Sequence, residues 1–263
     1  MATPKGYVVR TAARDEVIPL HSIYEYDTVT IASQLPKHQL GDKCRMSDGR
    51  VYHYSRNGGV ALTAANLLQN AVTVADHWNM VATVISAIGD TKIFLLPTTA
   101  VIAKDYYTNG YLWVNEGAGL GMCYKIKKND LCALVTGGYA YLYDPLVVAT
   151  AAASNITVVA NPWQGVIQCP AVPTGIPVGV APIAVPASTA LIHYYFWAQT
   201  WGPCAITNAA AVQVIGTPRM TQGTTAGGVI VAAVHGIPEV GWLLNGLQVA
   251  ASEAVGCFLR ISQ

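Results

Sequence analysis

At 263 residues, with 52% apolar and 11% charged side chains, the chain can bury a sizeable core and is far too apolar to be disordered. A formal net charge of +1 supplies no general basic field for nucleic acid, and six cysteines without a CxxC pair or zinc-type His spacing argue against a metal site. No apolar export segment follows the basic residues near Met1 and no run reaches membrane-spanning length, so a reducing cytoplasm and free thiols are expected, with no membrane partner.

In chain order, about half of the charged side chains fall in the first 56 positions. Residues 1–40 read as an extended polar N-terminal arm with strand-like patches at 7–10 and 26–31. Residues 41–75 read as a connector. Within it, Ser47-Asp48-Gly49-Arg50 is a turn signal between alternating runs at 43–46 and 51–54, which predicts a β-hairpin. Helix formers at 61–69, with Thr63 as N-cap, predict a short helical turn. From residue 76 to 263 the vocabulary is β-branched and aromatic, punctuated by Gly, Asn and Pro, and predicts one sandwich or barrel domain of many short antiparallel strands.

Strands are expected at 81–88, 92–96, 111–115, 121–127, 131–135, 141–143 and 155–159, and again at 165–168, 179–184, 193–200, 212–214, 228–233, 239–244 and 254–261. Thr108-Asn109-Gly110 and Lys128-Asn129-Asp130 carry residues that tolerate positive φ and read as hairpin turns. Five prolines between Cys169 and Ala187 predict an edge or crossing segment, because proline cannot donate to a central ladder.

Chemistry-bearing motifs are sparse. Asn115-Glu116-Gly117-Ala118-Gly119-Leu120-Gly121 has the glycines of a phosphate loop, but a strand follows where the dinucleotide fingerprint requires a helix, so a glycine-rich turn is expected. His21, His38, His53, His77, His193 and His235 stand singly, with no GxSxG or comparable nucleophile signature. A pair of carboxylates for glycan hydrolysis would have to come from Asp76, Asp90, Asp105, Glu116, Asp130 and Asp144, the mid-chain acids. Residues 145–218 contain no Asp, Glu, Lys or Arg and are broken by proline and glycine. Charges are costly to desolvate, so a long uncharged stretch marks surface that ends up covered. Its densest aromatic part, residues 194–204, supplies Tyr195 and Trp197 on one face of a strand and Tyr194 and Phe196 on the other. Trp163, Tyr195, Trp197 and Trp201 are the candidate interface anchors.

Several segments together resemble a known family. They are LGDKCRMSDGRVYHYSR with ALTAANLLQNA, GYLWVNEGAGLGMCYKI, NPWQGVIQCP with PTGIPVGVAPIAV, and YYFWAQTWGPCAI. They are similar to structural proteins of tailed double-stranded DNA bacteriophages, encoded beside the major capsid protein and regarded as capsid decoration proteins. The resemblance covers roughly residues 40–263, and Trp-Gly-Pro-Cys is its most specific element. It implies a virion protein without catalytic residues or cofactor, made in the host cytoplasm and bound to the outer capsid surface. The expected partners are the major capsid protein and copies of itself, as a homotrimer, with no nucleic acid. The alternative expectation is a tail or fibre module that stacks exposed aromatics on host carbohydrate.

Overall fold

The computed structural model describes residues 16–18, 29–209, 220–222, 226–231, 239–245 and 253–263. Its strands are β1 (Glu16–Ile18), β2 (Lys43–Met46), β3 (Val51–Asn57), β4 (Leu67–Gln69), β5 (Met80–Val81), β6 (Lys92–Leu95), β7 (Tyr111–Glu116), β8 (Cys123–Asn129) and β9 (Gly138–Leu142). They continue with β10 (Asn155–Val159), β11 (Gln164–Gln168), β12 (Pro177–Val180), β13 (Tyr195–Thr207), β14 (Met220–Gln222), β15 (Val229–Val231), β16 (Glu239–Leu243) and β17 (Ala254–Arg260). The fold is all-β. Among the described residues, no helix is long and apolar enough to cross a membrane.

Two sheets divide these strands. The larger has eleven in the order β1-β2-β3-β11-β4-β12-β13-β17-β16-β14-β15, and an additional pairing of β3 with β13 closes β3, β11, β4, β12 and β13 on themselves. The smaller has six, β5-β10-β7-β8-β9-β6, and is supplied by a continuous stretch between β4 and β11. Closure removes the open edges that a central β3 or β13 would otherwise present. Inside the closed part lie Leu68, Val166, Val178, Phe196 and Ala198, all buried. A separate core of Ile93, Leu95, Leu112, Ile126, Ala140, Leu142, Ile156 and Val158 fills the inner side of the smaller sheet.

β13 organises the larger sheet. Its first half pairs with β3 from Tyr195 opposite Arg56 to Trp201 opposite Val51, and its second half pairs with β17 from Trp201 opposite Arg260 to Thr207 opposite Ala254. The change of partner coincides with Gly202, whose φ of +87° a side chain would rarely adopt and whose missing Cβ would sit 3.2 Å from Arg50 Cα.

The hairpin at β2 and β3 forms as expected, with Gly49 at φ +88° in its turn. The glycine-rich segment is the β7–β8 connection, with Gly117, Gly119 and Gly121 all at positive φ. Other expectations need correction. Residues 61–69 form an isolated bridge at Leu62 and then β4, because the Leu67 and Leu68 side chains are needed in two cores and Ala65 turns the chain at φ +64°. Of the strand expected at 81–88 only Val81 falls in a strand, the two-residue β5, and residues 131–135 make isolated bridges rather than a strand. Asn109 does take positive φ, at +61°, but β7 pairs with β8 and β10, so residues 108–110 do not close a hairpin. The proline-rich segment contributes β12 between β4 and β13, in the interior of the sheet, since Pro177 occupies only its first position. Val29 and Thr30 are helical rather than extended. The rest of the arm (1–15 and 19–28) and the strand expected at 212–214 lie outside the described residues.

Candidate contact surfaces

The four sequence-nominated aromatics occupy three different settings. Trp197 is 4% exposed, packed with Tyr52, Tyr54, Cys44, Met46 and Val29, and touched by His38 at a ring distance of 5.0 Å. Its own chain covers it. Tyr195 is half-buried and stacks on Tyr54, the ring centroids 5.9 Å apart and the planes within 7°. Trp163 stacks on His53 at 4.4 Å, and Trp201 meets Phe258 edge-on at 5.7 Å. Tyr195 and Trp197 therefore share one cluster, while Trp163 and Trp201 belong to others.

Several of the other candidate side chains hold loops. Asp76 accepts hydrogen bonds from the Thr98 hydroxyl and from the amides of Thr98, Thr99 and Ala100, and these bonds hold its carboxyl well below the usual range. His77 is buried, with Nδ1 2.6 Å from the Tyr107 hydroxyl and Nε2 2.9 Å from Ala100 O. Asp90 Oδ2 accepts from Ala87 N, and Glu116 Oε2 accepts from Asn155 Nδ2. Burial, joined by the nearby Arg56 guanidinium, lowers the His193 pKa. All six cysteines are free thiols, and burial pushes Cys132 and Cys169 up to about 11 and Cys204 and Cys257 up to about 12. Thiols in that range are protonated at neutral pH and poor nucleophiles. Among the described residues, no group of three His, Cys, Asp or Glu could hold a metal ion.

Two kinds of open surface stand out. The uncharged stretch puts Leu191 at 93% and Val172 at 77% exposure, with Ile176, Val147, Val148 and Ile192 also on the surface. Asn70, two residues before exposed Val72, donates its amide to Ile176 O, and Val60 lies beside residues 186–188, since Asn57 Nδ2 donates to both Val60 O and Pro186 O.

The other surface is the outer face of the smaller sheet. Strand alternation turns Ala140 and Leu142 inward and Tyr139, Tyr141 and Tyr143 outward, and Ile93 inward while Lys92 and Phe94 face out. β8 and β7 continue the face with Lys125 opposite Tyr111 and Cys123 opposite Trp113. Lys92 and Lys128 both register with Tyr141, one from each side. Lys92 Nζ lies 4.5 Å from the Tyr139 ring centroid, Lys128 Nζ 4.7 Å from that of Tyr141, and Lys125 Nζ 5.5 Å from that of Tyr143. Sequence reasoning overlooked this face. The signal was present in the alternation of GYAYLYD against CYKIKKN, but only strand pairing makes the two sets neighbours.

No family model, curated protein or solved structure matches the chain. The phage-family resemblance therefore rests on the quoted motifs alone.

Proposed function

We propose that the chain is a non-enzymatic structural subunit of a phage virion, attached to the outer surface of the head, where it reinforces the shell as a homotrimer. The observation that carries this reading is the exposed apolar surface within a stretch that has no charged side chain from residue 145 to 218. Leu191, Val172 and Ile176 offer apolar area to water without a neighbouring charge in sequence to keep that area hydrated, and Val147 adds to it at the end nearest Asp144. Removing such area from water against sister copies and a capsid subunit favours assembly by roughly 25 cal/mol per Å² of apolar surface, against which stands the entropy lost on association. Contacts with several shell subunits at once then add through high effective concentration, so no single contact needs high affinity.

Gold-labelled antibody raised against this protein should decorate the heads of the phage that encodes it, in electron micrographs of intact particles. Labelling confined to tails would replace the shell reading with the fibre reading. For the purified protein, sizing with light scattering at micromolar concentration should return a trimer, and Leu191→Glu with Val172→Glu should shift it toward monomer without loss of fold. A monomeric wild type would overturn the self-association part.

A further inference from the structure

We propose that the outer face of the six-stranded sheet is a binding platform for an acidic polysaccharide, one whose sugars carry uronate carboxylates. The inference stands apart from the shell reading and rests on different residues.

The face combines Phe94, Tyr139, Tyr141, Tyr143, Tyr111 and Trp113 with Lys92, Lys125 and Lys128 on adjoining strands. Lys127, the extra residue at the β8 bulge, is exposed beside them. Asp130 and Glu116, which border the face, accept hydrogen bonds from neutral donors, the Tyr141 hydroxyl at 3.1 Å and Asn155 Nδ2 at 2.6 Å, and exposed Asp144 follows Tyr143. Among the described residues none of these carboxylates forms an ion pair with the lysines of the face, whose ammonium groups stand over tyrosine rings. Hydrogen bonds of Tyr141 to Asp130 and of Tyr143 to Asn109 Oδ1 fix those rings in place before any ligand arrives, so little ordering entropy remains to be lost.

The chemistry of the occupant follows from two features. Alternate residues along a strand are about 7 Å apart, so Tyr139 and Tyr141 of β9 and Tyr143 just past its end form a ladder for an extended chain. Aromatic ring faces are negative and receive the weakly positive C–H faces of sugar rings, while each paired ammonium receives a carboxylate. Charge density decides between polyanions. Nucleic acid carries a phosphate at every unit and draws most of its affinity from many cation contacts. Here rings outnumber cations, and the cations are lysines rather than the arginines that fork onto phosphate. A polymer with carboxylates separated by neutral sugar faces matches that ratio.

The test uses the full-length protein in affinity electrophoresis through gels containing hyaluronan, in which uronate alternates with a neutral sugar, with neutral dextran and a thirty-nucleotide oligo-dT as parallel probes. Retardation by hyaluronan but not dextran is expected, and it should vanish when salt rises from about 50 mM to about 500 mM as the Debye length collapses. Lys128→Gln and Tyr143→Ala, both exposed, should each weaken binding about fivefold with an unchanged thermal melt. Equal retardation by dextran, tighter binding of oligo-dT, no binding at all, or full binding by either variant would each overturn the proposal.

Discussion

Asn161 is the side chain whose loss should be felt furthest from its own position. It is 3% exposed and makes three hydrogen bonds, each to backbone. Nδ2 donates to Leu40 O at 3.0 Å, ahead of the β2–β3 hairpin, and to Asn109 O at 3.1 Å, at the entry to the smaller sheet. Oδ1 accepts Trp163 N at 3.0 Å. The side chain therefore ties both sheets to the segment that crosses between them. Asn161→Ala removes all three bonds and orphans two carbonyls and an amide. A net contribution near 1 kcal/mol per bond gives a loss of about 3 kcal/mol, and a water admitted to the hole keeps it from rising further. For 263 residues the unfolding entropy at the midpoint is about 0.55 kcal/mol/K, so the melting temperature should fall by about 5 °C. Asn161→Asp should be worse than alanine at pH 7, because its carboxylate would face the carbonyl oxygens of Leu40 and Asn109 with no proton to share. Circular dichroism melts of the three proteins decide the matter. A fall below about 2 °C for alanine, with aspartate no worse, would show that the junction is held by something other than these bonds.

Two further outcomes are expected. Asp76→Asn should lower stability at pH 7: the wild-type carboxyl, held low by Thr98 and the 99–100 amides, contributes stability that is present above its ordinary value of 3.8 and lost as pH falls through the lower folded value. The gap between variant and wild type should therefore narrow in acid melts, and a gap that widens on acidification would contradict the assignment. Brief maleimide labelling of the native protein, read by peptide mass spectrometry, should modify exposed Cys123 well before buried Cys44, Cys132, Cys169 and Cys257. Uniform labelling before unfolding would show those cores to be open.

The β-strands were legible wherever alternation and turn chemistry agreed. The hairpin of β2 and β3, the glycine-rich β7–β8 connection and β10 at 155–159 follow from residues no more than a few positions apart. The misreadings share a cause: they lie where a distant partner overrode local preference. Residues 61–69 have helix formers, but the backbone of Leu67 bonds Cys169 N and Gly227 O, contacts that no local window contains. The proline-rich β12 looks like an edge strand until β4 and β13 are seen on its two sides, Pro177 registering with Gln69 of β4 and only Val180 with Gln199 of β13. Trp197 illustrates the same limit for function, since aromatic density cannot distinguish a ring buried by its own chain from one offered to another.

What composition and periodicity determined was the class: little charge, much Val, Ile and Tyr, and turns at short spacing demand buried sheets. Only the tertiary structure decided how β13 leaves β3 for β17, and which aromatics remained in water. The physical reason is that side-chain alternation sets two faces for each strand, whereas the choice of covered face belongs to whatever strand or core arrives from elsewhere in the chain.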